Sequence, residues 1–327
     1  MPQGVVWSRR GPAGGSDPRA AATSAVVRGE DITNPAVPET PPPAWAAREP
    51  GSRSFALALF TLAAALVANT TLGPLGMEAI SYPISGTLLN QVIGLELVSL
   101  ALVVPLTLVA GVLSLRGHRS AALLGLGPAA YSAYMFPQYV LGPEYPTYTV
   151  VALLHVAIFT LSGSIAVWAW VRGSRQVLPQ LTARRRRLYG AALLVLAAFI
   201  LSRYAGSLTA GRLPAEFAEA HTFYWSIFLL DLGVVVPLTA AAGIGLLRGA
   251  SAANPALYAV MLWYALVPPS VAAMSTTMVI NDDPHASSGQ AILLGVVSVV
   301  FAALGVLVFW PLLRPSDGSI ATTGSES

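Results

Sequence analysis

The sequence predicts an all-α integral membrane protein whose eight transmembrane helices form two tandem, parallel four-helix repeats, with both termini in the cytoplasm. Three observations carry this expectation. The 327 residues are 55% apolar and 10% charged, with a mean hydropathy of +0.65, whereas a soluble domain carries about a quarter of charged residues. Several apolar runs exceed the ~20 residues that cross a bilayer. The stretch 100–117, LALVVPLTLVAGVLSLRG, returns without a gap 132 positions later at 232–249, as LGVVVPLTAAAGIGLLRG.

Matching Leu, Val and Ala residues are common between apolar helices. A shared Val-Val-Pro-Leu-Thr and a shared Arg-Gly stop are not, so the match reads as a duplication. The same offset lays helix one on helix five and helix three on helix seven, placing Tyr131 against Trp263 and Pro137 against Pro269. Four spans per copy is an even number, so both copies enter the membrane from the same side. Such copies are related by an axis along the membrane normal, unlike the inverted repeats of many transporters.

In chain order, residues 1–53 are rich in Pro, Ala, Gly and Arg, with PETPPPAWAAREP at 38–50. They hold no apolar segment able to offset ordering entropy, and read as a disordered cytoplasmic tail. They are not a signal peptide, because the first hydrophobic run starts near Phe55 and is long enough to span. The first repeat covers 54–172, an Arg-rich cytoplasmic linker 173–186, the second repeat 187–312 and a disordered cytoplasmic tail 313–327. Within them the spans fall at about 54–76, 90–116, 120–142, 147–172, 187–209, 222–248, 254–279 and 288–312.

Loop charge sets the orientation. The loops after helices two, four and six carry Arg116 and Arg119, then Arg172, Arg175 and Arg184 to Arg187, then Arg248. The loops after helices one, three and seven carry no basic residue but His285, and Arg212 after helix five has Glu216 and Glu219 beside it. By the positive-inside rule both termini are cytoplasmic. Trp168, Trp170 and Trp310 then mark inner helix ends, and Tyr145, Tyr148, Tyr224 and Trp225 outer ones. All 18 basic residues are Arg, in a chain rich in Ala, Gly and Pro, a composition typical of high-GC bacteria; the expected location is the cell (inner) membrane.

Two prolines bear on mechanism. Pro105 and Pro237 lie inside helices two and six, where each removes a backbone hydrogen bond and bends the helix, either as a hinge or as a static kink. Thr107 and Thr239 are the nearest hydroxyls. Pro268-Pro269 is expected to break helix seven near its outer end, and Pro137 to break helix three.

The absence of Cys excludes disulfides, thiolate metal sites and Cys nucleophiles. No phosphate loop, GxSxG or HExxH is present. The pI near 9.3 reflects arginines in tails and loops, not a nucleic-acid partner. The expected surroundings are the lipid bilayer, with no cofactor; residues 1–53 are a candidate surface for a cytoplasmic protein, and oligomeric state is not legible.

Ionisable residues within a membrane cost ~2.5–3.5 kcal/mol on insertion scales, so each is a candidate functional residue. Four stand out: Glu96 in helix two, His155 in helix four, Arg203 in helix five and Asp231 in helix six, all in the outward half of their spans. They line one outward-facing polar site between the repeats, or form two pairs, Glu96 with His155 and Asp231 with Arg203. Neither they nor His221, Asp282, Asp283 and His285 show metal-ligand spacing, so no metal is assigned. The leading expectation is a transporter-like, proton-linked protein that binds a small molecule or ion. The alternatives are a scaffold or sensor subunit acting through its tail and linker, and a membrane enzyme acting on lipid or quinone with His155 and a carboxylate as its acid–base pair.

Overall fold

The computed structural model describes residues 51–147 and 149–313. The expected tails lie almost wholly outside these residues, as does Tyr148. Eight long helices follow one another: α1 Ser52–Leu72, α2 Gly86–Leu115, α3 Ala121–Leu141, α4 Val150–Gly173, α5 Ala183–Ala210, α6 His221–Arg248, α7 Ala253–Ile280 and α8 Ser288–Leu313. One 3₁₀ turn, Ala215–Phe217, lies between α5 and α6. Seven of the helices, all but α3, are long and apolar enough to cross a membrane. The chain is a multi-pass helical bundle of membrane type.

Local chemistry explains where the helices stop. α1 ends four residues short of the expected boundary because Gly73-Pro74 follows; the Gly73 N–H bonds Asn69 O at 2.8 Å and the chain turns back. α2 starts at Gly86, where the Ser85 hydroxyl accepts the Leu88 N–H. The repeated Arg-Gly stop is a Schellman cap in both places. Gly117 (φ 68°) donates to Ser114 O while His118 donates to Leu113 O, and Gly249 (φ 73°) donates to Leu246 O while Ala250 donates to Gly245 O. At the start of α5, Thr182 accepts the Arg185 N–H, so the four arginines expected to end a linker form the helix's first turn.

α2 and α6 are each interrupted by a π turn, Ser99–Val103 and Asp231–Val235, whose first residues lie 132 positions apart. In each, a backbone N–H reaches back five residues, Val104 to Ser99 O and Val236 to Asp231 O, and the next residue is Pro105 or Pro237. The wider turn carries the carbonyl that a proline ring would strike away from it. Thr107 bonds Val103 O at 2.7 Å, while Thr239 meets the Tyr264 hydroxyl at 3.0 Å. The other prolines do not break their helices, contrary to expectation. α3 runs through Pro137 and α7 through Pro268-Pro269, because away from water a helix remains the only way to satisfy the surrounding peptide groups.

α3 packs on α4 and α7 on α8. The C-terminal part of α2 lies on α1 and that of α6 on α5; the N-terminal part of α2 crosses to α7, and that of α6 to α3. α3 and α7 meet at the centre. Two crossings approach backbone contact: a Cβ on Gly94 would stand 2.5 Å from the Met274 nitrogen, and one on Gly243 would stand 2.9 Å from the Gly190 oxygen. α3 is the most enclosed helix, with Tyr131, Ser132, Met135, Phe136, Gln138 and Tyr139 all buried. α8 instead exposes Ile292, Leu293, Val296, Val299 and Leu307, the face a helix turns toward lipid.

Candidate functional site

The four ionisable residues do not converge on one site. They divide between two polar clusters, and one of them, Arg203, is exposed.

The first cluster is built on the 73–85 connection, which folds back into the bundle and buries Ile80 and Tyr82. Irregular backbone at such a depth is tolerated where protein surrounds it. α2 carries Glu96 beneath this segment, 1% exposed. Its Oε2 accepts the Leu75 N–H at 3.2 Å, and its Oε1 has no partner. The fit requires Gly73, since a Cβ there would lie 2.4 Å from Oε1. α4 brings in His155, fully buried. Its Nε2 lies 3.0 Å from Asn69 Oδ1 and 3.4 Å from the Tyr82 hydroxyl. The imidazole is caged by Tyr82, Phe136 and Tyr139, with centroids 5.8, 5.7 and 5.2 Å away. Glu96 lies within electrostatic range of Tyr82 and Tyr139. Among the described residues, no ion pair joins Glu96 to His155.

The second cluster surrounds Asp231, the first residue of its π turn and 7% exposed. Tyr134 of α3 donates to Oδ1 at 2.6 Å, and Tyr204 of α5 donates to Oδ2. Trp263 packs edge-on against Tyr134, and Phe228 against Tyr204. The expected Asp231–Arg203 pair is not formed; two phenols take the guanidinium's place. Ser99, 132 positions before Asp231 and first in the other π turn, lies within reach of the Tyr131 hydroxyl, itself 2.7 Å from Ser270 Oγ. Each π turn therefore presents its first side chain to a tyrosine of α3.

At the same end, two carboxylates tie loops to helix starts. Asp283, after α7, accepts from Thr87 at 3.2 Å, from Asn90 at 3.0 Å and from the His285 N–H at 2.9 Å. Burial raises its pKa, but these hydrogen bonds outweigh it and hold the carboxyl below its usual range. Glu144, after α3, accepts the Thr222 N–H at the start of α6 at 3.2 Å, and its pKa is lowered by that residue's hydrogen bonds.

Two clefts, of about 460 and 430 Å³, open at the opposite end of the bundle, and none of the four residues lines either. The sequence reading missed Asn69, Tyr82, Tyr134, Tyr139 and Tyr204. The only signal was the density of Tyr along α3, a helix of low apolarity for its length. Comparison of the chain with protein-family models, curated proteins and solved structures finds no match.

Proposed function

We propose that the chain is a transporter-like membrane protein that takes up a proton or a small cation at Glu96, with His155 as the neighbouring polar group. The observation that carries this reading is Glu96 Oε1, sealed from solvent and without a partner. A buried carboxylate with one oxygen left unbonded is costly to keep charged, so this one favours taking up a proton or a counter-ion. Asp231, with both oxygens bonded by tyrosines, acts instead as a tie between halves. The acid–base pair that an enzyme would need is not formed between Glu96 and His155.

The architecture belonging to this reading is a pair of parallel four-helix repeats with the arginine-rich end in the cytoplasm, so that Glu96 lies toward the outer leaflet. What supports the repeat is the common offset of 132 in sequence, in π turns and in Schellman caps. What supports the orientation is the charge at the two ends.

The test needs no substrate. The detergent-solubilised chain is melted across pH and across a sodium and potassium series, native protein against Glu96→Gln. The expected result is a melting temperature that responds to protons or to one cation in the native chain and loses that response in the variant. Equal responses in both proteins would sink the proposal.

A further inference from the structure

The Glu96 carboxyl is closed in by main chain. A Cβ on Gly73 would stand 2.4 Å from Oε1, 2.8 Å from Oε2 and 2.9 Å from Asn69 O, so Gly73 already occupies the space that these three oxygens share. The oxygens beside it are committed: Oε2 accepts the Leu75 N–H, Asn69 O accepts the Gly73 N–H at 2.8 Å, and Asn69 Oδ1 lies 3.0 Å from His155 Nε2. Hard cations such as calcium and magnesium gather roughly six to eight oxygens at about 2.0–2.6 Å, and potassium needs a ring of oxygens to replace its water. Among the described residues, no group of three His, Asp or Glu could hold a metal ion. A proton asks for no such shell. It adds no volume, binds the free Oε1 directly and removes the cost of a buried charge.

The carboxyl lies close to the surface at the end of the bundle opposite Arg53 and Arg116. Leu75, whose N–H it accepts, is half-buried, and residues 76–79 after it are exposed. The turn that carries them is closed by the Met77 N–H on Thr71 O and the Ile80 N–H on Leu72 O, both at 2.7 Å. A brief opening of so short a turn admits water and a proton. The titratable groups within electrostatic range of Glu96 are Tyr82 of the connection and Tyr139 of α3, while His155 of α4 stands beside Tyr82 and Glu78 is exposed on the turn. α1 beyond Arg53, and α7, hold no Asp, Glu, Arg or His.

We infer that Glu96 takes up a proton and not a metal ion, exchanged through the 73–79 turn with the solution at that end of the bundle. The inference rests on the reading of Glu96 as an uptake site and narrows it to one species.

The experiment records infrared difference spectra of the detergent-solubilised full chain, first between acid and alkaline buffers free of sodium and potassium, then at constant pH with either cation added. The readout is the C=O stretch of a protonated carboxyl, recognised by its shift in D2O. The expected result is a band that rises at acid pH in the native chain, persists in Asp231→Asn, is lost in Glu96→Gln, and is unmoved by sodium or potassium. The cation arm uses the native chain alone, so it holds even where a variant fails to fold. Loss of the band on adding one cation at constant pH overturns the inference but leaves Glu96 an uptake site. No Glu96-dependent band overturns the inference whatever else is seen; a melting response to a cation that Glu96→Gln abolishes would then leave the uptake reading standing, and equal melting responses in both proteins would remove that reading as well.

Discussion

Asp231 and Glu96 are both carboxylates in apolar surroundings, yet their neighbours make opposite predictions for substitution. Tyr134→Phe or Tyr204→Phe strips a donor from a buried charged acceptor, and each is expected to cost about 1–3 kcal/mol, read as a lower melting temperature in detergent. Because both phenols serve one carboxylate, the double variant should depart from the sum of the singles. Asp231 was legible in the sequence as a rare intramembrane acid. Its partners were not, because arginine is the partner that charge alone suggests, and which hydroxyls reach a carboxylate depends on which helices meet. For Glu96, the pairing with His155 failed for a similar reason: the imidazole turns into an aromatic cage, and the loop segment carrying Tyr82 fills the intervening position.

For the helices, hydropathy located all eight to within a few residues, and the largest errors, at the end of α1 and the starts of α2 and α5, fall where cap chemistry overrules it, at Gly73, Ser85 and Thr182. Gly117→Ala and Gly249→Ala each force a side chain into left-handed backbone, and each should cost about 1–2 kcal/mol by the same melt. Similar losses at the two positions would support equivalent roles for the two caps. The loop ties carry a pH dependence. Asp283 has a depressed folded pKa, so its stabilisation is present above the unfolded value of ~3.9 and is lost as pH falls through the lower folded value. In an acid melt series, Asp283→Asn should be destabilising at neutral pH and should converge with the native chain at the acid end. A constant difference across the series would count against the tie. The π turns were beyond sequence reasoning in kind: a proline announces a disturbed helix, but whether the helix bends, breaks or widens depends on what surrounds it, as the unbroken α7 shows.

At the scale of the whole molecule, the multi-pass bundle was legible because lipid-facing surfaces need long apolar runs. The division of the polar residues into two clusters was not, since equal depth along separate helices says nothing of distance across the bundle. α3 is the helix whose environment the sequence describes least well, being enclosed by α2, α4, α6 and α7. That enclosure has a consequence for biogenesis. A segment too polar to partition into lipid by itself must wait for company during synthesis, so α3 should enter the membrane as a hairpin with α4 rather than alone. In a glycosylation-mapping series of truncated chains, α3 at the C-terminal end should fail to integrate, and extending the chain through Gly173 should restore integration. The most sheltered helix of the finished protein would then be the one most exposed to failure while the protein is being made.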